Sequence, residues 1–290
     1  MQASRGDFLS PVVRRLLAEH SLDPAQIRGT GTDGRVTRAD VLAAVAARVV
    51  PAPSGDRAAA FSPMRRRIAE HMLGSVATSP HAFCSVVVDL EGVDRVRREA
   101  AERWRRDEGF GLTYLPFVAR AVVDALRDHA ELNASVVDDG LLVHRSVHLG
   151  IAVDLDREGL VVPVVRDADV KRLRGIARDA FDLAARARSR DLVPDDVRGA
   201  TITITNPGPF GTVLSIPIIN QPQVAIVVTD RVRKVPVVAA TDDGGEGIAL
   251  HSVATIGVSF DHRAAGIGSA AAFLRRVRAV LEQRDWTIEL

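Results

Sequence analysis

The sequence predicts a mixed α/β (α+β) chain: a small helical module, a connector, and a large domain with a mixed, largely antiparallel sheet. Three observations predict it. From Met64 onward, segments with helical apolar spacing alternate with short period-two or wholly apolar runs, the patterns of helices and strands. No regular series of strand, glycine loop and helix appears, and Asp242-Asp243-Gly244-Gly245 reads as a hairpin turn, which favours antiparallel pairing. Residues 50–60 (VPAPSGDRAAA) are rich in Pro, Ala and Gly without any period, the composition of a connector. The expected boundaries are 7–47 for the module, 48–61 for the connector and 62–290 for the large domain.

In the module, Ser10-Pro11 starts a helix: Ser can cap, and Pro at the first helical position loses no needed N–H. Val12, Val13, Leu16 and Leu17 form its stripe. A second helix is signalled by Thr37-Arg38-Ala39-Asp40 followed by Val41, Leu42 and Val45. Between them, Gly29-Thr30-Gly31-Thr32-Asp33-Gly34 matches G-x-G-x-x-G, but no strand precedes it and no long helix follows. The dinucleotide reading is therefore rejected.

In the large domain, Arg65 to Val76 carries Ile68, Met72 and Val76 at helical spacing. Phe83 to Asp89 reads as a strand with mostly buried faces. Val93 to Trp104 and Leu115 to Asp128 read as helices, the second nearly apolar and central. Strands are expected at 141–144, 149–154 and 160–165, then a long amphipathic helix from Ala168 to Ser189, then strands at 201–205, 223–232 and 235–239. Finally Ile256, Val258 and Phe260 alternate with Gly257, Ser259 and Asp261 as in a half-buried strand. Ser269 can cap a helix with Phe273, Leu274, Val277 and Leu281 on one face. His262 falls on the connection between that strand and that helix, where a side chain can be exposed while the backbone is anchored.

Composition narrows the function classes. With 290 residues, 47% hydrophobic content and a net charge of +1, the chain can bury a full core and has no electrostatic reason to bind nucleic acid or an anionic membrane. The single cysteine, Cys84, excludes an internal disulfide and fits a reducing compartment. No apolar run is long enough to span a membrane, and Met1 to Asp7 lacks the run a signal peptide needs, so a cytoplasmic location is expected.

Several ordered stretches resemble known families. Ser10-Pro11, Val13-Arg14-Arg15-Leu16, Gly29-Thr30-Gly31, Gly34-Arg35-Val36 and Asp40-Val41 are similar to the peripheral subunit-binding domain of 2-oxo acid dehydrogenase complexes. The resemblance implies a protein partner gripped through Arg14, Arg15 and Arg35; alternatively these arginines are a solvated face. Residues 62–285 resemble the acyltransferase core of the same complexes, and so its relative, chloramphenicol acetyltransferase. The matching stretches include Arg65-Arg66-Arg67-Ile68-Ala69, Pro80-His81, Glu131-Leu132-Asn133-Ala134, Gly150-Ile151-Ala152-Val153 and Gly159-Leu160-Val161-Val162-Pro163-Val164. They continue through Thr203-Ile204-Thr205-Asn206-Pro207-Gly208, Pro217-Ile218-Ile219-Asn220 and Asp261-His262-Arg263.

By this resemblance His262 is the general base and Thr205 supplies the hydroxyl that hydrogen-bonds the tetrahedral oxyanion. A neutral imidazole can accept and return a proton near pH 7, and one oxyanion donor contributes roughly 3 kcal/mol. The resemblance further implies a homotrimer with the active site at the subunit interface, so that a lone subunit is inactive.

Three departures shape the expected activity. The motif's Asp and Gly, four and five residues after the His, are Gly266 and Ile267; an Ile where the turn needs positive φ would be strained, so a changed loop is expected. Neither of the two lysines, Lys171 and Lys234, has a lipoyl-domain setting, so no lipoyl lysine is expected in this chain. Thr stands at 205 in place of the usual Ser. Together these favour an acetyl-CoA-dependent O-acetyltransferase acting on a hydroxyl of a tetronate or polyketide-type natural-product intermediate. The alternatives are a dihydrolipoamide acyltransferase subunit of a 2-oxo acid dehydrogenase complex, or a non-catalytic scaffold.

Overall fold

The computed structural model describes residues 9–47, 60–155, 159–240 and 244–290. Nearly all of the connector expected at 48–61, and the first two residues of the Asp242–Gly245 turn, lie outside them. The chain divides into two compact units, Met1–Phe61 and Ser62–Leu290.

In the first unit, α1 (Pro11–Glu19) is capped by the Ser10 hydroxyl, which accepts from the Val13 amide at 3.3 Å. It buries Val13 and Leu17 against Val41 of α2 (Arg38–Ala47), with Val12 and Leu42 left exposed. The intervening glycine loop closes on itself. A Cβ on Gly29 would lie 2.3 Å from the Gly34 carbonyl oxygen, and one on Gly31 would lie 2.9 Å from that of Arg35. The Asp40 carboxylate accepts from the Thr30 hydroxyl (2.6 Å) and amide (2.9 Å) and from the Thr37 amide (2.8 Å) and hydroxyl (2.9 Å). These bonds, Thr30's first, hold its carboxyl well below the usual carboxylate range. The glycines are thus used for close backbone approach inside a turn, not for a phosphate.

The second unit opens with α3 (Pro63–Thr78), capped by Ser62, then β1 (His81–Asp89), α4 (Glu91–Glu108) and α5 (Leu115–Ala125). A hairpin of β2 (Ala134–Val137) and β3 (Gly140–Val143) follows, then β4 (Leu149–Ile151), β5 (Val153–Asp154), β6 (Leu160–Val161) and β7 (Val164–Val165). The chain ends through α6 (Leu173–Ser189), β8 (Ile202–Thr205), β9 (Ala225–Thr229), β10 (Arg233–Ala240), β11 (Glu246–Asp261) and α7 (Ile267–Gln283). Among the described residues no helix is long and apolar enough to cross a membrane.

The main sheet has the order β1-β11-β9-β8-β4-β7, with β10 also on β11. It is mixed: β4·β8 and β8·β9 are parallel, the other pairs antiparallel. The period-two pattern of β11 sorts its side chains to two faces. Ile256, Val258 and Phe260 join Val227, Ile202 and Ile204 in the core against α5 and α7. As expected, α5 is central: Phe117, Val118 and Val122 are fully enclosed, and each such side chain contributes roughly 1.5–3 kcal/mol. The opposite face carries Thr203, Thr205, Val228, Gly257 and Ser259 along paired positions.

Four expectations are corrected. β1 is an edge strand with one face open, and Val87 is 60% exposed. The runs 149–154 and 160–165 each break in two, the second at Pro163, which has no N–H for the ladder. The Ser269 hydroxyl donates to Glu131 rather than capping α7, whose cap residue is Gly266. Position 267 needs no positive φ: Gly266 is extended (φ −87°, ψ 166°) and Ile267 is the first residue of the helix, unstrained.

Candidate active site

β11 leaves the sheet at Asp261, buried at 1% exposure. Its carboxylate accepts from the Arg263 amide (2.9 Å), Nε (3.0 Å) and Nη2 (2.7 Å). Burial raises this carboxyl's pKa, but the bonds from Arg263 and from Ser79 outweigh it, and the group sits below its ordinary value. The turn is closed by Ala264 and Ala265 amides donating to the Asp261 carbonyl.

His262 rides on this clamp. Its amide donates to the Pro80 carbonyl at 3.0 Å, while the side chain is exposed, its ring centroid 6.1 Å from that of Phe260. Next to it His81 ties two segments together: Nε2 accepts from the Ile219 amide (3.0 Å), which leaves the proton on Nδ1 to donate to the Ser79 carbonyl (2.8 Å). The Ser75 hydroxyl donates to the Ile219 carbonyl at 2.6 Å, so Pro217 to Asn220 is pinned over this end of the sheet.

Thr205 closes β8 at the other end and is half-buried. Beyond it the Asn206 side chain accepts from the Gly208 amide at 3.1 Å, and the loop returns to Asp230. That carboxylate, 2% exposed, accepts from the Thr212 hydroxyl (2.5 Å) and from the Ser215 hydroxyl (2.8 Å) and amide (3.1 Å). The loop thereby presents Phe210, Val213, Leu214 and Ile216 to solvent, each at least half exposed. The sequence pattern did not single out Asp230, Asp261, Ser79 or His81; only His81 and Asp261 fell within stretches that carried the resemblance.

The register measures the gap. Thr205 pairs with Val228, Val228 with Gly257, and His262 lies five residues past Gly257. At about 3.4 Å per residue along the strand and about 4.8 Å for each of two strand steps, the two backbones are about 20 Å apart. One protomer cannot bring the imidazole within the ~3 Å that proton transfer and oxyanion bonding require. Among the described residues neither side chain has a hydrogen-bond partner, so both are available. No group of three or more His, Cys, Asp or Glu side chains among the described residues is arranged to hold a metal.

Comparison with known proteins adds the following. The family model "2-oxoacid dehydrogenases acyltransferase (catalytic domain)" matches residues 53–288, and "e3 binding domain" matches residues 8–42. The lipoamide acyltransferase component of the branched-chain alpha-keto acid dehydrogenase complex of Bacillus subtilis is 33% identical over 95% of this chain and 71% of its own length. Other relatives are longer, and the chain spans 56% of two mycobacterial ones. Among solved structures, a probable dihydrolipoamide acetyltransferase from Listeria monocytogenes superposes with TM-score 0.74 at 34% identity, covering 80% of this chain and 98% of that one. The Azotobacter vinelandii dihydrolipoamide acetyltransferase, studied for the roles of a serine, a histidine and an asparagine four residues after it, gives TM-score 0.72 at 28% identity, covering 81% and 98%.

Proposed function

Because the chain belongs to the 2-oxoacid dehydrogenase acyltransferase family, we propose that it moves an acyl group between CoA and the thiol of a dihydrolipoyl group borne by a partner domain. The single observation that carries the mechanism is the pair of unengaged groups, Thr205 and His262, held at opposite ends of one sheet. The reacting centre is then a seam between two copies, as in the expected homotrimer. The His262 imidazole of one copy takes the proton from the attacking thiol. The sulfur adds to the thioester carbonyl, and the oxyanion accepts a hydrogen bond from the Thr205 hydroxyl of the adjoining copy. Collapse breaks the C–S bond to CoA, whose thiolate takes the proton back from His262.

The thiol acceptor now ranks ahead of the hydroxyl acceptor expected from the sequence, since the relatives are named for lipoamide or dihydrolipoamide chemistry. One observation keeps O-acetylation of a tetronate-type hydroxyl with acetyl-CoA as a second reading. Counted four residues on from His262, the spacing between the histidine and the asparagine named for the Azotobacter protein, the position is Gly266, which carries no side chain, and Ile267 beside it is 48% exposed. Neither position offers a polar side chain. The module matched at residues 8–42 supports docking to a protein of a multienzyme complex, with the exposed Arg14 and Arg15, and Arg35, as the contact candidates.

CoA release from acetyl-CoA is measured with dihydrolipoamide, with a hydroxylated tetronate, and with neither. Turnover with dihydrolipoamide that is lost in His262→Ala supports the main reading. Turnover with the tetronate alone transfers support to the second. Release with neither acceptor in the presence of a folded oligomer overturns both.

A further inference from the structure

The His262 ring has no hydrogen-bond partner among the described residues, so the place of the imidazole follows from the backbone that carries it. That backbone is tied to the Pro80 carbonyl by the His262 amide, at 3.0 Å. Pro80 has no N–H of its own to anchor it, and it lies one residue before β1. Its two neighbours are gripped instead. His81 accepts from the Ile219 amide at 3.0 Å and donates to the Ser79 carbonyl at 2.8 Å. Ser79, 3% exposed, is reached across 142 residues by Gln221, whose Nε2 donates to the Ser79 hydroxyl at 2.6 Å.

A hydroxyl that accepts from Gln221 still has one proton to give. The Asp261 carboxylate takes it, and this is one of the bonds that keep that carboxyl below its ordinary value. Asp261 in turn accepts from the Arg263 amide and guanidinium. The line that starts at Gln221 therefore reaches the Pro80 carbonyl below His262 and the residues on both sides of it. Gln221 itself is half-buried on a turn and makes no other side-chain hydrogen bond among the described residues. The grip on His81 comes from a main-chain amide that any residue but proline supplies at 219. The grip on Ser79 needs the Gln221 carboxamide.

We propose that Gln221 is a positioning residue for the His262 base, acting through Ser79 and the Pro80 carbonyl. It is assigned no contact with substrate or with the reacting atoms. The inference rests on the reading of His262 as the base of an acyl transfer. Proton transfer needs its two heavy atoms within about 3 Å, and a displacement of about 1 Å costs on the order of 10²-fold in rate. Because the base acts in the chemical step and not in holding CoA, the effect falls on kcat and leaves KM for the acyl donor alone.

Gln221→Met tests it, because methionine keeps the length of the side chain and adds no charge but has no donor. In the full chain, with acetyl-CoA and dihydrolipoamide, kcat is expected to fall by about tenfold or more with KM for acetyl-CoA within about twofold of wild type. The melting temperature should fall by no more than about 4 °C, the share of one hydrogen bond in a domain of this size. Ser79→Ala removes the acceptor, so adding Gln221→Met to it should cost about twofold or less in kcat. A second readout needs no turnover: heteronuclear NMR of the full chain isotope-labelled at histidine Cε1. The His262 signal, identified by its absence in His262→Ala, should shift or broaden in Gln221→Met, while that of His20 stays in place. An unmoved His262 signal, an unchanged kcat, or losses from Ser79→Ala and Gln221→Met that multiply would each overturn the positioning role. Turnover that survives His262→Ala would sink the base and this role with it, whereas turnover lost in His262→Ala but full in Gln221→Met sinks the positioning role alone.

Discussion

Mixing two inactive variants gives the most direct test of the seam. His262→Ala removes the base, which typically contributes 10²–10⁴-fold, and Thr205→Ala removes one oxyanion donor, roughly 10²–10³-fold. Each homo-oligomer is therefore expected to retain about 1% of wild-type turnover or less. With the two backbones about 20 Å apart in each chain, the proposed mechanism requires every functional centre to draw its imidazole from one copy and its hydroxyl from another. In a mixed ring of three, whichever variant is in the majority, one seam in three joins an intact His262 to an intact Thr205.

The expected activity of the purified mixed oligomers is thus about a third of wild type, far above either parent. The two variants are co-expressed with different tags, doubly purified so that only mixed oligomers remain, and assayed for CoA release. A mixed oligomer no more active than the mean of its parents would refute the shared site and, with it, the roles given to both residues.

Three further outcomes are expected. Asp94, 4% exposed, accepts from Tyr114, Arg97 and Ser252, and although burial raises its pKa these bonds bring it down to about 2. Asp94→Ala strands those donors and should lower unfolding free energy by roughly 3–5 kcal/mol in urea titration at pH 7. Because the folded pKa is depressed, the contribution is present above the unfolded carboxylate value and lost as pH falls toward 2, so the deficit should shrink there. Asp40 has the same sign: the protection factors of the Thr30 and Thr37 amides should be high at pH 6, fall as acid protonates Asp40, and be low at every pH in Asp40→Ala. A Cβ at Gly266 meets nothing within 4 Å, so Gly266→Asn should leave the melting temperature within about 2 °C, consistent with an uncrowded surface change. Dihydrolipoamide turnover should rise in that variant if a polar side chain there assists the thiol reaction; an unchanged ratio of thiol to hydroxyl turnover would count against the role given to this loop.

Much of the fold was legible because it follows local periodicity. The alternation of Ile256, Val258 and Phe260 and the spacing of Phe273, Leu274, Val277 and Leu281 sort residues onto the core side of β11 and α7 as read from the sequence. Val87 was misread because an apolar residue on an open edge face has the same sequence signature as one in a core. The clamps were invisible for a different reason. Asp230 reaches Thr212 and Ser215 across 18 and 15 residues, and His81 reaches Ile219 across 138, distances over which no spacing rule applies. His262 and Thr205 were found through the motifs around them, yet their separation is a matter of strand register, which one sequence leaves open.

Dilution should abolish activity before it unfolds the chain. The loop after Thr205 turns Phe210, Val213, Leu214 and Ile216 outward, and Asp230 holds it in place, so these apolar side chains are fixed at the surface rather than left there by a loose segment. On the proposed reading, this cluster beside the half-built site is the surface that another copy covers. Loss of the neighbour removes the base from every Thr205 and the hydroxyl from every His262 at once, while the core of Phe117, Phe260 and Phe273 lies within one chain. Specific activity should therefore fall in step with the oligomer fraction seen by analytical ultracentrifugation, with circular dichroism unchanged over the same range. A monomer that kept full turnover would place base and hydroxyl within reach inside a single chain, which the register of β8, β9 and β11 forbids.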